Sequence, residues 1–190
     1  KLALVEHMLT VKGWAPALIF SRTRQGADKL AQQLGKAGIN ALAFHGDLSQ
    51  GAREKVLLEF RAGTLQALVA TDVAARGLDI SDLNHVINLE FPFVAEDYVH
   101  RIGRTGRAGN KGLAITLFSP EDAPLLEKVE AALDTRLPQQ WFPGFEPDLT
   151  RFDPEPRRSS KAAQKQKARK QALSGNKDGK GGKGGKGRKP

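Results

Sequence analysis

The sequence contains no cysteine, so a disulfide framework and a zinc site of the usual cysteine type are both excluded. No apolar run approaches the roughly 18 residues that a membrane-spanning helix requires, and we expect no membrane partner. The opening KLALVEHMLT lacks a basic segment followed by an apolar stretch and a cleavage site. We therefore expect a cytoplasmic protein. Because Lys1 stands inside an amphipathic pattern, we also expect an N-terminal partner domain.

A second absence is the phosphate-binding loop of P-loop ATPases. The pattern Gly-x-x-x-x-Gly-Lys-Ser/Thr does not occur, and the glycines of GGKGGKG near the C-terminus do not replace it. No acidic run at a strand end offers the Mg²⁺ ligands that phosphoryl transfer requires, and none of the histidines has the setting of a metal ligand. We therefore expect this chain alone to lack ATPase activity and to hold no metal.

Charge is distributed unevenly along the chain, whose formal net charge is +9. Residues 1–150 hold 16 Lys and Arg against 18 Asp and Glu, a balance of −2. Residues 151–190 hold 14 against 3, a balance of +11. The basic character therefore belongs to the C-terminal tail, which indicates nonspecific nucleic-acid binding, with a solubilising role as the alternative.

Short apolar runs alternate with longer amphipathic stretches, the pattern of a parallel sheet covered by crossover helices. Five strands are predicted: Ala17 to Phe20, Ile39 to Phe44, Leu68 to Ala70, His85 to Leu89 and Leu113 to Phe118. The helices between and after them are Arg24 to Ala37, Gln50 to Arg61, Ala95 to Ile102 and Glu121 to Leu133. The order predicts a doubly wound α/β sheet with helices on both faces.

The chain divides by composition into three predicted parts. Residues 1–137 form the α/β domain, and 138–156 form an extended segment rich in proline and aromatic residues. Residues 157–190 form a Lys- and Gly-rich tail with almost no large apolar residue, so it cannot offset the entropy of ordering. We expect this basic tail to be disordered.

Function is expected in the loops at the carboxyl ends of the strands, where open α/β sheets bind their ligands. One of these segments, YVHRIGRTGRAG, carries Arg101, Arg104 and Arg107 at every third residue between glycines. Such arginines either converge on one polyphosphate or form an ordinary surface loop with salt bridges, and the spacing alone favours neither. Arginines on a sheet domain without a phosphate loop indicate arginine fingers for a nucleotide that another domain holds.

Four segments together resemble the C-terminal-domain motifs of DEAD-box ATP-dependent RNA helicases, in the family's order and spacing. LIFSRTR resembles motif IV, HGDLSQGAREK the following segment, ATDVAARGLDI motif V, and HRIGRTGRAG motif VI. The resemblance covers residues 2–137 and implies a RecA-like fold. A weaker resemblance of PGFEPD points to the bacterial RhlE-type subgroup.

The resemblance implies a site for ATP with Mg²⁺, bound mainly by an N-terminal RecA-like domain. Arg104 and Arg107 would be catalytic arginine fingers on the terminal phosphate, and Asp79 would bind the ribose. His100 and Arg101 would contact the other domain. Gln50 would support the segment after motif IV or the same interdomain contact.

The resemblance also implies a grip on single-stranded RNA through phosphates and sugars, which would pry short duplexes apart. Five positions match the RNA-contacting ones: Arg22, Thr23, Gly46, Arg53 and Thr71. Arg22 stands where the family more often has Asn. The alternatives are that Thr71 and Asp72 simply cap the turn after a strand and that Asp79 is an N-cap. Phe20 would pack beneath motif VI as part of the core, and His45 would hold its loop by hydrogen bonds.

Two other functions are compatible with the residues. The first is an autonomous, nonspecific RNA-binding module in which the basic tail binds and the domain is a scaffold. The second is half of a DNA helicase or repair translocase, which the intact HRIGRTGR and ARGLDI segments disfavour.

Overall fold

Five short parallel strands form the centre of the structure, which is a computed structural model. They are β1 (Ala17–Phe20), β2 (Ala41–Phe44), β3 (Ala67–Ala70), β4 (His85–Asn88) and β5 (Leu113–Thr116). Their order in the sheet is β2-β3-β1-β4-β5, and every neighbouring pair is parallel. Each residue of β1 and β3 is buried, as expected for strands covered on both faces.

In the part of the chain that the structure describes, six α-helices surround this sheet. They are α1 (Leu2–Thr10), α2 (Arg24–Lys36), α3 (Gln50–Arg61), α4 (Asp72–Ala75), α5 (Ala95–Ile102) and α6 (Ala123–Leu133), the last preceded by a 3₁₀ turn, Pro120–Asp122. The chain runs from β1 out to β2 and then back across the sheet, so the crossover direction reverses once. Right-handed crossovers then place α2 and α3 on opposite faces. The predicted doubly wound sheet with helices on both faces is confirmed.

Side-chain caps fix the starts of the two long crossover helices. Thr23 Oγ1 accepts a hydrogen bond from the Gly26 amide at 3.0 Å, and Ser49 Oγ accepts one from Ala52 at 3.2 Å. Each cap supplies an acceptor for a backbone amide in the first turn of its helix, which has no partner within the helix. Thr23 and Ser49 lie in the loops that follow β1 and β2, so the two caps also fix where these loops end and the helices begin.

Several predicted element ends were wrong by a few residues. The second strand begins at Ala41, and the last two end at Asn88 and Thr116. The last helix begins at Ala123, because Ser119 and Asp122 form a capping box that holds the preceding residues in a 3₁₀ turn. The four-residue α4 was not predicted, since one turn is too short to show a helical period.

Two apolar clusters hold the helices that carry the site. One cluster joins α3 and α4 to strand residues of the sheet. Val56 and Phe60 of α3 and Ala74 of α4 belong to it, together with the strand residues Leu18, Phe20, Phe44 and Leu68. A second cluster joins α5 to α6 through Phe91, Tyr98, Leu126 and Val129. Both α4 and α5 are thereby fixed close to the carboxyl edge of the sheet.

The structure describes residues 1–76, 78, 80, 83–106 and 112–146. The chain forms two units, Lys1–Trp141 and Phe142–Pro190. In the described part of the second unit, Phe142 and Phe145 pack edge to face with ring centroids 6.0 Å apart. The predicted tail, 157–190, and residues 147–156 of the predicted extended segment lie outside the described residues. Within the described ranges, no helix has the length and apolar character to cross a membrane.

Candidate functional site

A buried arginine organises the carboxyl edge of the sheet. Arg101 on α5 is 1% exposed, and its Nε and Nη2 donate to the two carboxylate oxygens of Asp72 at 2.6 and 2.7 Å. Its Nη1 donates to the Glu90 carbonyl at 2.7 Å, and its guanidinium lies 5.0 Å from the centre of the Phe20 ring. A two-point, fully satisfied ion pair therefore joins motif VI to α4 of motif V.

An arginine, an aspartate and a histidine lie beside this pair. Arg76 Nη2 donates to Asp97 Oδ1 at 2.5 Å, and His100 Nδ1 lies 3.8 Å from the same oxygen. The hydrogen bond and charge of Asp97 raise the pKa of Arg76 above its ordinary value. The Arg76 and His100 side chains are 58% and 65% exposed, so one nearly buried carboxylate presents two cationic or polar groups to the surroundings.

Arg104 follows α5 in a tight turn. Its Nη1 donates to the Leu78 carbonyl at 2.8 Å, which ties this arginine to motif V. The Arg104 carbonyl accepts from the Leu83 amide at 3.1 Å, and Thr105 Oγ1 hydrogen-bonds to the Leu83 carbonyl. The turn is therefore held against the segment before β4. One shallow depression lies beside it and is lined by Phe20, Asp72, Ala75, Arg76, Asp97, His100, Arg101 and Arg104.

A glycine makes room for the same turn. A Cβ added at Gly112 would overlap Thr105 Oγ1 and lie 2.5 Å from the Gly106 nitrogen, far inside any allowed contact. Gly106 itself has φ +72°, a conformation that L side chains rarely adopt. Glycines therefore set the path of the arginine-bearing turn.

Two of the predicted nucleotide residues, Asp79 and Arg107, lie outside the described residues. Both flank described ones: Leu78 and Ile80 are buried on either side of Asp79, and Gly106 precedes Arg107.

Apart from Arg53, which lies on α3, the predicted RNA residues follow the ends of β1, β2 and β3. Thr23 is an N-cap, Gly46 is exposed with nothing within 4 Å of a Cβ added there, and Thr71 is 7% exposed. Thr71 makes no side-chain capping bond to α4, and the Asp72 carboxylate is turned to Arg101. Side-chain capping, the alternative role for these two residues, is therefore not what the structure contains.

Arg53 on α3 is a cation with an unused donor. Its guanidinium lies 5.6 Å from the Phe44 ring centre, and Nη2 donates to the His45 carbonyl at 3.4 Å. Among the described residues its buried Nε has no hydrogen-bond partner. Buried donors are normally paired, so this nitrogen is an exception among the described residues.

His45 holds the HGD loop, as predicted from the sequence. It is 5% exposed, its Nε2 lies 2.8 Å from Asp28 Oδ1, and its Nδ1 accepts from the Asp47 amide at 3.4 Å. These contacts correspond to a ring whose Nε2 donates to Asp28 and whose Nδ1 accepts. Asp47 in turn forms an ion pair with Arg24. The loop is thereby fastened to the start of α2.

Gln50 lies at the first position of α3 and is exposed. Its amide donates to Glu54 Oε1 at 2.9 Å, within the same helix. Its predicted supporting role stays a prediction.

Comparison with known proteins identifies the domain. The family model of the helicase conserved C-terminal domain matches residues 1–109. The chain is 40% identical over 149 residues to the DEAD-box ATP-dependent RNA helicase CshA of Bacillus cereus, covering 78% of this chain. The E. coli DEAD-box protein SrmB, in a crystal structure with the regulator of ribonuclease activity A, is 39% identical with a TM-score of 0.72. That alignment covers 77% of this chain and 86% of the SrmB chain.

The chain belongs to the DEAD-box helicases, as a C-terminal domain. A further structural relative, helicase domain 2 of the DEAD-box protein Mss116p bound to an RNA duplex, is 27% identical with a TM-score of 0.65. It covers 76% of this chain and 59% of the other. The chain spans 28% of the length of the Bacillus cereus relative.

The helicase domain brings some predicted residues together and separates others. His100, Arg101 and Arg104 lie at one edge with Asp72. Thr23 and Gly46 lie on other loops, and Arg53 lies on α3. Arg101, predicted to contact another domain, is 1% exposed and bonded within its own domain. A positioning role for it follows from this geometry.

Two residues of this edge were missed in the sequence, Arg76 and Asp97. A signal for Asp97 existed: it stands three residues before His100 and four before Arg101, the spacing of one helix face. Arg76 belongs to the quoted motif V segment. The pairing of these two residues is tertiary, and spacing cannot reveal it.

Proposed function

We propose that this domain is the C-terminal half of an ATP-dependent RNA helicase, in which it completes an ATP site held mainly by an N-terminal RecA-like domain. The Arg101–Asp72 pair carries the proposal, because it docks the arginine-bearing segment 101–106 on the carboxyl edge of the sheet. Arg76, His100 and Arg104 then stand around one depression with cationic and polar groups. Phosphate-binding sites use such groups, arginine above all.

In this proposal Arg104 and Arg107 act on the terminal phosphate of ATP, and Asp79 binds the ribose. ATP with Mg²⁺ supplies the phosphoryl group whose transfer to water the arginines assist. The guanidinium groups of Arg76 and Arg104 fit a supporting role toward a polyphosphate. The two carboxylates at this edge, Asp72 and Asp97, are already paired with Arg101 and Arg76. His100 and Arg76 are the exposed groups suited to contact the other domain.

The proposed RNA grip uses Thr23, Gly46, Arg53 and Thr71, with Arg22 beside them. Arg53 supports it as a cation beside the loop after β2, because phosphate oxygens are acceptors suited to a guanidinium. Two relatives support RNA as the substrate. CshA is named an RNA helicase, and the Mss116p domain is bound to an RNA duplex. Contacts to phosphates and sugars make such recognition independent of sequence, and ATP and RNA bound across a cleft favour its closure.

The finer assignments are part of the same proposal. They are the RhlE-type subgroup, a bacterial source, a cytoplasmic location, and the division into 1–137, 138–156 and 157–190. A second candidate function, an RNA-binding module driven by the tail, is favoured by the charge of +11 in residues 151–190.

The test joins this chain to the native DEAD-box N-terminal domain and measures RNA-stimulated ATPase. Arg107→Ala is expected to lower the rate about 10³-fold or more with the fold intact, the effect of a lost arginine finger. Lys55→Ala, at an exposed ion pair on α3, is the control and is expected to have the wild-type rate. Full activity of Arg107→Ala, or robust ATPase of this chain alone, would contradict the proposal.

A further inference from the structure

We propose that Arg22 and Phe93 form a nucleotide-stacking subsite for single-stranded RNA. In it, one base stacks on the open face of the Phe93 ring while Arg22 contacts the adjoining phosphate. The inference rests on the proposed function and adds a base-contacting position to a grip otherwise made on the backbone.

The two residues meet at the carboxyl edge of the sheet. Arg22 follows β1 and Phe93 lies in the loop after β4, and these strands are neighbours with Phe20 opposite Asn88. The Arg22 guanidinium lies 5.0 Å from the centre of the Phe93 ring, within cation–π range. Thr23, an RNA residue of the proposed function, is the next residue along the chain.

Phe93 is open to a ligand. It is 67% exposed even with the Arg22 guanidinium 5.0 Å from the centre of its ring, so most of the residue is accessible to a ligand. A single exposed phenylalanine is ordinary on a protein surface. An exposed aromatic ring with a cation stacked on it, at the edge where this fold binds ligands, is a more specific arrangement.

The main chain of Arg22 is fixed, but its guanidinium forms no tight ion pair among the described residues. Its backbone amide donates to Glu90 Oε2 at 3.1 Å, which fixes the main chain. Its side-chain ion pairs are long, 3.8 Å from Nε to Glu90 Oε2 and 4.0 Å from Nη2 to Asp122 Oδ1. The side chain is 26% exposed, so a phosphate can replace these weak contacts without moving the ring platform.

A nucleotide matches this pair in both of its parts. An aromatic ring accepts any base by stacking, and a neighbouring arginine meets the phosphate, which is how single-stranded nucleic acids are held without sequence preference. An apolar peptide would use the ring and leave the cation without a partner. The chemistry therefore favours a nucleotide, and in a helicase half that nucleotide belongs to RNA.

The experiment measures how the full 190-residue chain binds two labelled oligomers of equal length and charge, decauridylate and an abasic ribose-phosphate chain. Phe93→Ala is expected to lose about tenfold in affinity for decauridylate and nothing for the abasic chain, since only stacking is removed. Phe93→Tyr, which keeps the ring, restores binding. Leu58→Ala on α3 is the matched control, because Leu58 is 70% exposed, and it binds both oligomers as wild type does.

Arg22→Gln tests the other half of the subsite. It is expected to weaken both oligomers and to make the dependence of log K on log salt shallower by about 0.7, the value for one phosphate contact to a single strand. Phe93→Ala leaves that slope unchanged. A Phe93→Trp chain reports occupancy by fluorescence quenching, and uridine monophosphate is titrated into it beside decauridylate.

The outcomes separate cleanly. Base-dependent loss in Phe93→Ala, with stronger quenching by decauridylate than by the mononucleotide, supports the subsite. Equal binding of both oligomers by wild type and Phe93→Ala overturns it, and quenching as strong with the mononucleotide overturns its assignment to RNA. If Phe93→Ala has no effect while Arg107→Ala abolishes RNA-stimulated ATPase in the joined protein, the subsite fails and the proposed function stands.

Discussion

Arg101 and Asp72 face each other with two parallel hydrogen bonds, 2.6 Å from Nε to Oδ1 and 2.7 Å from Nη2 to Oδ2. One partner lies on α5 of motif VI and the other on α4 of motif V, so the pair spans 29 positions of sequence. The guanidinium also lies over Phe20 at the end of β1. Three elements of the sheet edge therefore depend on one buried side chain.

Removing Arg101 is expected to destabilise the domain strongly. Arg101→Ala leaves the Asp72 carboxylate and the Glu90 carbonyl without their donor, a loss of about 3–5 kcal/mol for a broken buried pair. Urea unfolding of the full chain measures it. Lys55→Ala, whose ion pair is exposed, is the control and is expected within about 0.5 kcal/mol of wild type. A loss below about 1 kcal/mol for Arg101→Ala would show that the pair does not hold this edge together.

Gly112→Ala is expected to impair activity by moving the arginine-bearing turn. The added Cβ would overlap Thr105 and the Gly106 backbone, so the turn that carries Arg104 must shift. In the joined two-domain protein, RNA-stimulated ATPase is expected to fall at least tenfold, the scale of a misplaced catalytic group. Gly51→Ala on α3 is the control, since nothing lies within 4 Å of its added carbon. Wild-type activity in Gly112→Ala would mean that the turn tolerates displacement.

Most of the fold was predictable because it depends on local patterns. Apolar strands, caps such as Ser49 and glycine-bounded helices are read directly from the chain, and they placed each loop at the sheet edge. The site was predictable only in part. The regular spacing of the arginines left convergence on one polyphosphate and a surface loop equally open, and it did not predict that Arg101 is buried. Its burial depends on Asp72, which the fold rather than the spacing brings to it.

The stability of the domain is expected to fall as the pH drops below about 6.5 because of His85. Burial lowers the pKa of His85 below its ordinary value of 6.5, and a backbone hydrogen bond with Trp14 offsets this only in part. The unfolded chain therefore binds a proton at a higher pH than the folded one. The stability that comes from keeping His85 neutral is complete above the pKa of the unfolded chain. It is lost as the pH falls through the lowered pKa of the folded chain.

The variant that isolates this effect is His85→Phe. In the wild-type protein the His85 and Trp14 rings stack with their centroids 5.4 Å apart. A phenyl ring can keep this stack but cannot titrate. Urea unfolding between pH 5 and pH 7.5 is expected to show wild type losing more stability than His85→Phe on acidification. Parallel curves for the two proteins would show that His85 titrates alike in both states.

Deletion of residues 151–190 is expected to weaken RNA binding without removing RNA-stimulated ATPase from the joined protein. The deleted segment holds 14 Lys and Arg. If about five of them meet phosphates, the dependence of log K on log salt becomes shallower by about 3.5. Complete loss of RNA binding by the deletion, together with full activity of Arg107→Ala, would make the tail-driven module the better account.

Loss of Arg104 is expected to lower the ATPase rate more than the stability of the domain, whereas loss of Arg101 is expected to lower the stability. Arg104 makes one hydrogen bond to the Leu78 carbonyl at 2.8 Å and is only partly buried, so Arg104→Ala is expected to cost about 1 kcal/mol of stability. In the joined protein the same change is expected to lower the ATPase rate about 10³-fold, equivalent to about 4 kcal/mol of barrier. Urea unfolding and steady-state kinetics on the same preparations measure both. The reverse result, a large loss of stability with near-normal turnover, would make Arg104 a second structural arginine and leave the arginine-finger role to Arg107 alone.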